Sequence, residues 1–219
     1  MKFTRLFLFL LLFISAQVKS QQPFWNDIQN FKKQDSTNPP PKNAILFVGS
    51  SSFTKWTDVQ SYFPKYTIIN RGFGGSTLVD VIRYANDIIF PYNPKQIVIY
   101  CGENDLAFSD TVSAQLVFNR FKQLFDMIQN KIPGENIVYI SIKPSPSRAS
   151  LMPKMIEANK LIKQFLSKYN NTTFIDVYYL MLKADGTPLE EIFIKDNLHM
   201  NAKGYAIWQK AIQPFLLKN

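Results

Sequence analysis

The chain has 219 residues, of which 46% are hydrophobic and 19% charged, so it can fill the core of one domain and is not globally disordered. One cysteine and one histidine exclude an internal disulfide, a Cys-rich zinc site and a multi-histidine metal site. The formal net charge is +9, but the basic residues are spread along the sequence without a cluster. That distribution predicts a solvated surface and no nucleic-acid partner.

Residues 1–20 have the pattern of a secretory signal peptide. Lys2 and Arg5 precede an unbroken apolar run at 6–14, and small and polar residues follow it. The run is shorter than the roughly 20 residues of an ordinary membrane span, and an uncleaved anchor is the alternative. We therefore expect an exported protein, periplasmic or extracellular, that keeps no stable membrane anchor after cleavage near Gln21.

The next segment, residues 21–43, is predicted to be an N-terminal helix followed by a Pro-rich connector. From residue 44 to residue 219, short apolar runs alternate with helical spacings. The predicted strands are 44–48, 66–69, 96–100, 136–142 and 173–177. Strands that are apolar on both faces and alternate with helices indicate a parallel sheet that is covered on both sides. The sequence therefore predicts a three-layer α/β/α sandwich with a central five-stranded parallel sheet.

Small polar residues collect after the predicted strands. The segments are GSSS at 49–52, NRGFGGS at 70–76, GEND at 102–105 and DNLH at 196–199. In parallel sheets, ligands bind outside the carboxyl ends of the strands. Acyl transfer needs a hydroxyl nucleophile, a base, a carboxylate that orients the base, and donors for an oxyanion. If the protein uses an imidazole for such chemistry, His199 must supply it.

These four segments, in this order, resemble the sequence blocks of the SGNH hydrolase superfamily, the GDSL-like esterases and lipases. The resemblance covers about residues 44–215 and implies the flavodoxin-like SGNH hydrolase fold, ester hydrolysis and neither a metal nor an organic cofactor. It implies that Ser51 is the nucleophile and that Ser50 replaces the family's usual Asp. A nucleophilic Ser50 or Ser52, or three serines that only form a polar turn, are the alternatives.

The resemblance also implies the roles of the other site residues. His199 is the expected general base and Asp196 its partner. The expected oxyanion donors are the backbone N–H groups of Ser51 and Gly75 and the side-chain amide of Asn104. The alternatives are that Gly72, Gly74 and Gly75 only form a turn and that Asn104 only caps the turn that follows it. Phosphate binding by the glycines is disfavoured, because no Lys-Ser or Lys-Thr follows them.

The expected substrate is a small-molecule or glycan ester. The irregular stretches at 142–152 and 183–200 contain no apolar insertion that would form a lid or an acyl tunnel. We therefore expect a serine esterase for short-acyl, and above all acetyl, esters of carbohydrates. Trp56, Phe73 and Arg148 are the candidates to line the mouth of the site, and for each of them core packing or a surface position is the alternative. The alternatives are a lysophospholipase or thioesterase of the same family, or a catalytically silent module that binds carbohydrate or lipid.

Overall fold

A five-stranded parallel sheet organises the chain. The computed structural model describes residues 22–218, so the predicted signal peptide lies outside the described residues. The strands are Ile45–Gly49 (β1), Ile68–Gly72 (β2), Gln96–Tyr100 (β3), Ile137–Ile140 (β4) and Thr172–Ile175 (β5). They pair in the order β2-β1-β3-β4-β5, and every pair is parallel. This is the flavodoxin-like strand order, which confirms the predicted sheet.

Helices cover both faces of the sheet. They are Trp25–Thr37 (α1), Ser51–Thr54 (α2), Val59–Tyr62 (α3), Leu78–Arg83 (α4), Ala85–Ile88 (α5), Glu103–Phe108 (α6), Ala114–Lys131 (α7), Met152–Leu166 (α8) and Ala202–Ile212 (α9). Short 3-10 helices lie at Phe90–Tyr92, Pro146–Leu151, Tyr179–Met181, Glu190–Ile192 and Gln213–Phe215. Within residues 22–218, no helix is both long enough and apolar enough to cross a membrane.

Alternate side chains of each central strand enter two separate cores. In β1, Leu46 and Val48 join the core that α1 and α4 to α8 cover, whereas Ile45 and Phe47 join the core under α2, α3 and α9. This alternation is the period of two of a β-strand, and here both faces are apolar. The three-layer sandwich predicted from the sequence is therefore confirmed.

Strand β2 lies further along the chain than the sequence predicts. The apolar run predicts 66–69, whereas the ladder beside β1 continues through Asn70, Arg71 and Gly72. Asn70 pairs with Phe47 of β1 in this ladder, and its side-chain amide donates a hydrogen bond of 2.7 Å to the Phe53 carbonyl. Polar residues at the end of an edge strand carry no hydrophobic signal, so the apolar pattern ends too early.

Gly49 sets the position of the loop that follows β1. Its φ is +142°, and a Cβ there would lie 1.9 Å from the carbonyl oxygen of Tyr100. Only glycine allows this approach of β1 to the end of β3. The next residue, Ser50, then donates its backbone N–H to that same oxygen at 3.1 Å. The loop after β1 is therefore fixed directly against β3.

Candidate active site

Three polar side chains from two distant parts of the chain form a line of hydrogen bonds at the carboxyl edge of the sheet. Ser51 begins α2 directly after β1, and its Oγ lies 3.0 Å from Nε2 of His199. Nδ1 of His199 lies 2.6 Å from Oδ2 of Asp196. A hydroxyl, an imidazole and a carboxylate in this order can activate the hydroxyl oxygen for attack. The structure thus brings these three sequence-predicted residues together.

The segment before α9 folds so that Asp196 faces the imidazole. Oδ1 of Asp196 accepts the backbone N–H groups of Leu198 at 3.0 Å and of His199 at 2.9 Å. Asn197, which lies between Asp196 and Leu198, has a φ of +55°, a conformation that Asn tolerates better than most residues. The backbone N–H of Ile194 donates to the His199 carbonyl at 2.8 Å and closes the turn. A local turn therefore builds the Asp–His contact.

The hydrogen bonds of this turn keep Asp196 ionised. Desolvation raises the pKa of Asp196, but the bond from His199 and the two backbone N–H groups outweigh it, so the pKa lies well below its usual range. A carboxylate that remains charged favours a proton on Nδ1 of His199. Nε2 is then the acceptor that faces Ser51.

Two of the predicted oxyanion donors converge on one oxygen. Oγ of Ser50 accepts the backbone N–H of Ser51 at 2.6 Å and Nδ2 of Asn104 at 2.9 Å. Ser50 itself is buried. Its hydroxyl therefore marks the point at which the backbone donor of Ser51 and the amide donor of Asn104 meet.

Gly75 lies on the exposed side of the same edge. Its φ of +86° belongs to the left-handed region that favours glycine. A Cβ there would meet only the ring of Phe24, at an ordinary contact distance of 3.8 Å. The backbone conformation, rather than a lack of space, therefore requires glycine at this position. A cleft of about 410 Å³ opens beside Gly75.

The amide of Asn104 has a partner on each side. Nδ2 donates to the Ser76 carbonyl at 3.0 Å as well as to Ser50, and Oδ1 accepts from Arg148 at 2.9 Å. Since arginine only donates, its contact fixes which end of the amide is the oxygen. Arg148 thus contacts a predicted site residue directly. Asp105, the residue after Asn104 in α6, accepts the Leu78 N–H at 2.9 Å and holds the start of α6 against α4.

A buried charge cluster, which the sequence did not reveal, lies beneath these residues. Glu103 accepts hydrogen bonds from Tyr100 and Lys143. It also forms an ion pair with Arg148 at 3.2 Å. Lys143 is buried, and its Nζ also donates to the Leu198 carbonyl at 2.8 Å, one residue before His199. Burial lowers the pKa of Lys143, and Glu103 opposes that shift. The cluster therefore connects the start of α6, which carries Asn104, with the loop of His199.

The prediction that Trp56 and Phe73 line the mouth is wrong. Trp56 is 0% exposed, and its ring stacks on Tyr205 with centroids 4.7 Å apart. Phe73 is also fully buried and contacts the edges of Phe24 and Tyr84. Phe73 follows the end of β2 and Trp56 follows α2, and the chain directs these two rings back into the two cores. Among the described residues, no group of His, Cys, Asp and Glu side chains could hold a metal ion.

Comparisons with known proteins agree with the geometry. The sequence model of the GDSL-like Lipase/Acylhydrolase family matches residues 46–207. None of the curated proteins matches the chain. A candidate platelet activating factor from Streptococcus pneumonia has a similar structure, with a TM-score of 0.75, 20% identity and coverage of 88% of this chain and 92% of the other.

Two further solved structures are similar. A GDSL-like lipase from Bacteroides thetaiotaomicron has a TM-score of 0.70, with 19% identity and coverage of 85% of this chain and 95% of that one. A variant of an acetyl xylan esterase from Geobacillus stearothermophilus has a TM-score of 0.63, with 15% identity and coverage of 80% and 95%. At these identities the likeness shows a common fold.

Proposed function

Since this chain belongs to the GDSL-like lipase/acylhydrolase family of ester hydrolases, we propose that it is a serine esterase that removes short acyl groups, above all acetyl, from carbohydrates. The observation that carries the proposal is the line of hydrogen bonds from Ser51 Oγ to His199, 3.0 Å, and from His199 to Asp196, 2.6 Å. The first distance suits proton transfer from Ser51 to His199, and the second suits a hydrogen bond that orients the imidazole.

In the proposed cycle, Nε2 of His199 takes the proton of Ser51 while Oγ attacks the ester carbonyl. Asp196 holds the Nδ1–H and stabilises the imidazolium that forms. The imidazolium then gives its proton to the departing alcohol, which leaves an acyl group on Ser51. Water, activated by the same imidazole, attacks this acyl-enzyme and releases the acid, so the enzyme returns to its starting state.

The developing oxyanion is proposed to take the donors that now bind Ser50. The Ser51 N–H and the Asn104 amide converge on Ser50 Oγ in the free enzyme. A full negative charge accepts hydrogen bonds more strongly than a neutral hydroxyl, so the oxyanion displaces it. The Gly75 N–H is the proposed third donor. Loss of one such donor typically lowers kcat by about 10²–10³.

Labelling with a fluorophosphonate tests the nucleophile. Ser51→Ala should lose the label and stay folded, while Ser50→Ala and Ser52→Ala, the matched controls on either side, should keep it. Label that survives in Ser51→Ala and disappears in either control assigns the nucleophile to that neighbour. His199→Ala should lose several orders of magnitude in kcat/KM, and Asp196→Asn less, because it retains the imidazole.

A series of esters tests the substrate. The sequence offers no insertion for an acyl tunnel, and a similar structure belongs to an acetyl xylan esterase, which supports acetyl esters of sugars. We expect kcat/KM to be highest from acetyl to butyryl and to fall steeply by octanoyl. Faster turnover of a palmitoyl ester or a lysophospholipid would replace this proposal with the lysophospholipase alternative. A folded protein that turns over no ester would favour the silent binding module.

Export is proposed on the sequence pattern of residues 1–20 alone. Protein isolated from its native host should then begin between about residues 17 and 22. N-terminal sequencing measures this directly, and an intact Met1 would contradict cleavage.

A further inference from the structure

The segment that precedes α1 reaches the edge of the sheet at which Ser51 lies. Pro23 and Phe24 line the cleft of about 410 Å³ beside Gly75. Such a volume is within the range of roughly 300–1,000 Å³ that small-molecule sites occupy. We propose that Phe24 is a specificity-determining residue and that this cleft holds the sugar ring of the acetylated substrate. The inference rests on the proposed esterase function and names the alcohol that the cleft selects.

The position of Phe24 is fixed by its own surroundings. Its φ of +65° is uncommon for a bulky residue and persists only where neighbours determine it. The Pro23 carbonyl accepts the hydroxyl of Tyr84 at 2.6 Å, and the Phe24 carbonyl accepts the Ile28 N–H at 3.1 Å. The ring of Phe24 stands edge-on to buried Phe73 with centroids 5.2 Å apart. The ring of Phe24, which forms an aromatic wall of the cleft, is therefore fixed in position before a ligand binds.

Helix α1 is held against β2 by a cluster around one arginine. Arg71 lies between the rings of Phe31 and Tyr92, 5.1 and 4.9 Å from their centroids, and pairs with Asp35 at the end of α1. The Tyr92 hydroxyl donates to the same carboxylate at 2.6 Å. These contacts hold α1, and with it the Phe24 that precedes the helix, against the end of β2.

The cleft combines aromatic surface with polar groups of both signs. Phe108, which is 77% exposed, and Val79 add apolar surface to that of Phe24. The faces of sugar rings carry C–H groups that pack on aromatic rings, so an exposed aromatic side chain at a cleft suits such a ligand. An acetyl group is too small to require this surface.

The polar lining favours a hydroxyl-rich ring over an acyl chain. Asp80 and Arg83 form an ion pair of 2.6 Å at the cleft, and Thr77 and Arg120 also line it. Each guanidinium has five N–H donors, so one ion pair leaves others for a ligand. Sugar hydroxyls donate to carboxylates and accept from guanidinium groups, whereas methylene groups can use neither. The charge pattern therefore distinguishes a sugar from a lipid chain.

The test compares two acetyl esters on the same variants. Acetylated xylobiose presents sugar rings, and ethyl acetate presents none. In Phe24→Ala the ratio of kcat/KM for the sugar ester to that for ethyl acetate should fall about tenfold, which corresponds to about 1.4 kcal/mol. Phe24→Trp should retain the ratio. Phe215→Ala, an exposed aromatic near the amino end of β3, is the matched control and should change neither value.

Equal losses of kcat/KM on both esters in Phe24→Ala would overturn the proposal. A change confined to the dependence of kcat/KM on acyl length would also overturn it, because it would assign the cleft to the acyl chain. A separate measurement keeps the proposed function distinct. Xylobiose binding to Ser51→Ala, followed by saturation-transfer NMR, should disappear when Phe24→Ala is added. If xylobiose binds in this way but the unmodified protein hydrolyses no ester, the proposed esterase function is refuted and the proposed sugar-binding cleft stands.

Discussion

Two glutamates are buried to the same degree at opposite ends of the sheet, but their surroundings differ. Glu103 follows β3 at the edge where Ser51 lies and is 5% exposed, and Glu135 precedes β4 at the other edge and is 6% exposed. Glu103 contacts Tyr100, Lys143 and Arg148. Glu135 accepts only the backbone N–H of Asn136, at 2.9 Å, among the hydrogen bonds of its carboxylate in the described residues.

The comparison separates a buried carboxylate that has cationic partners from one whose carboxylate has a single backbone N–H partner among the described residues. Burial raises the pKa of Glu135 to about 7, and the single backbone N–H only partly opposes the shift. A buried carboxylate without a cation is costly, whereas one with partners can fix neighbouring groups in place. At the site edge the charges connect Asn104 to the loop of His199. We therefore expect substitutions at the two edges to affect stability in opposite directions.

The largest effect should come from Lys143→Met. It leaves Glu103 buried with one cation fewer and removes the donor to the Leu198 carbonyl. Breaking a buried pair typically costs about 3–5 kcal/mol, and urea unfolding measures the loss. The double variant Glu103→Gln, Lys143→Met removes both charges and should regain most of it. A double variant no more stable than the single one would show that the charge imbalance is not the cause.

Glu135→Gln should stabilise the protein, and the gain should depend on pH. The folded pKa lies above the usual value, so the folded state binds more protons than the unfolded state between about pH 4.5 and 7. The stability of the unmodified protein therefore falls as the pH rises through this window, and the substitution Glu135→Gln removes this pH dependence.

The expected gain is close to zero at pH 4 and about 3 kcal/mol at pH 8, measured by urea unfolding at both values. Esterase activity at 25 °C should not change, because Glu135 lies at the opposite edge of the sheet. A gain that is the same at pH 4 and pH 8 would mean that the carboxylate is not its source.

The smallest effect on stability should come from Arg148→Met, because this side chain is 18% exposed. The Oδ1 of Asn104 loses its donor, so the amide is less well oriented toward the oxyanion. We expect kcat to fall about 10- to 100-fold, less than when such a donor is removed, with KM nearly unchanged. Arg148→Lys should recover part of kcat. A rise in KM alone would instead support Arg148 as a substrate-lining residue, which is the prediction from the sequence.

The five strands, their parallel arrangement and the positions of Ser51, Asn104, Asp196 and His199 could be anticipated from the sequence. Apolar runs indicate the strands, and polar residues directly after them mark the edge at which ligands bind. The roles of these four residues remain predictions, and the experiments above test them.

Other features had no local signal. Lys143 lies in a segment rich in Pro and Ser, where a lysine is ordinarily on the surface, and its partner Glu103 is 40 residues away. Phe24 precedes the region that resembles the family, so no motif connects it to the site. Trp56 and Phe73 show the opposite error, because an aromatic residue after a strand end can turn either toward the cleft or into the core.

The contact between Ser51 and His199 joins residues 148 positions apart in the sequence. Closing so long a loop costs conformational entropy, and nearly the whole sheet lies between its ends. A growing chain that has completed all five strands still lacks the imidazole, so it holds a serine hydroxyl without a base. In the proposed mechanism, esterase activity therefore begins only after the segment that carries Asp196 and His199 has been synthesised and has packed against the sheet, so the rate of ester cleavage reports how many molecules have completed folding.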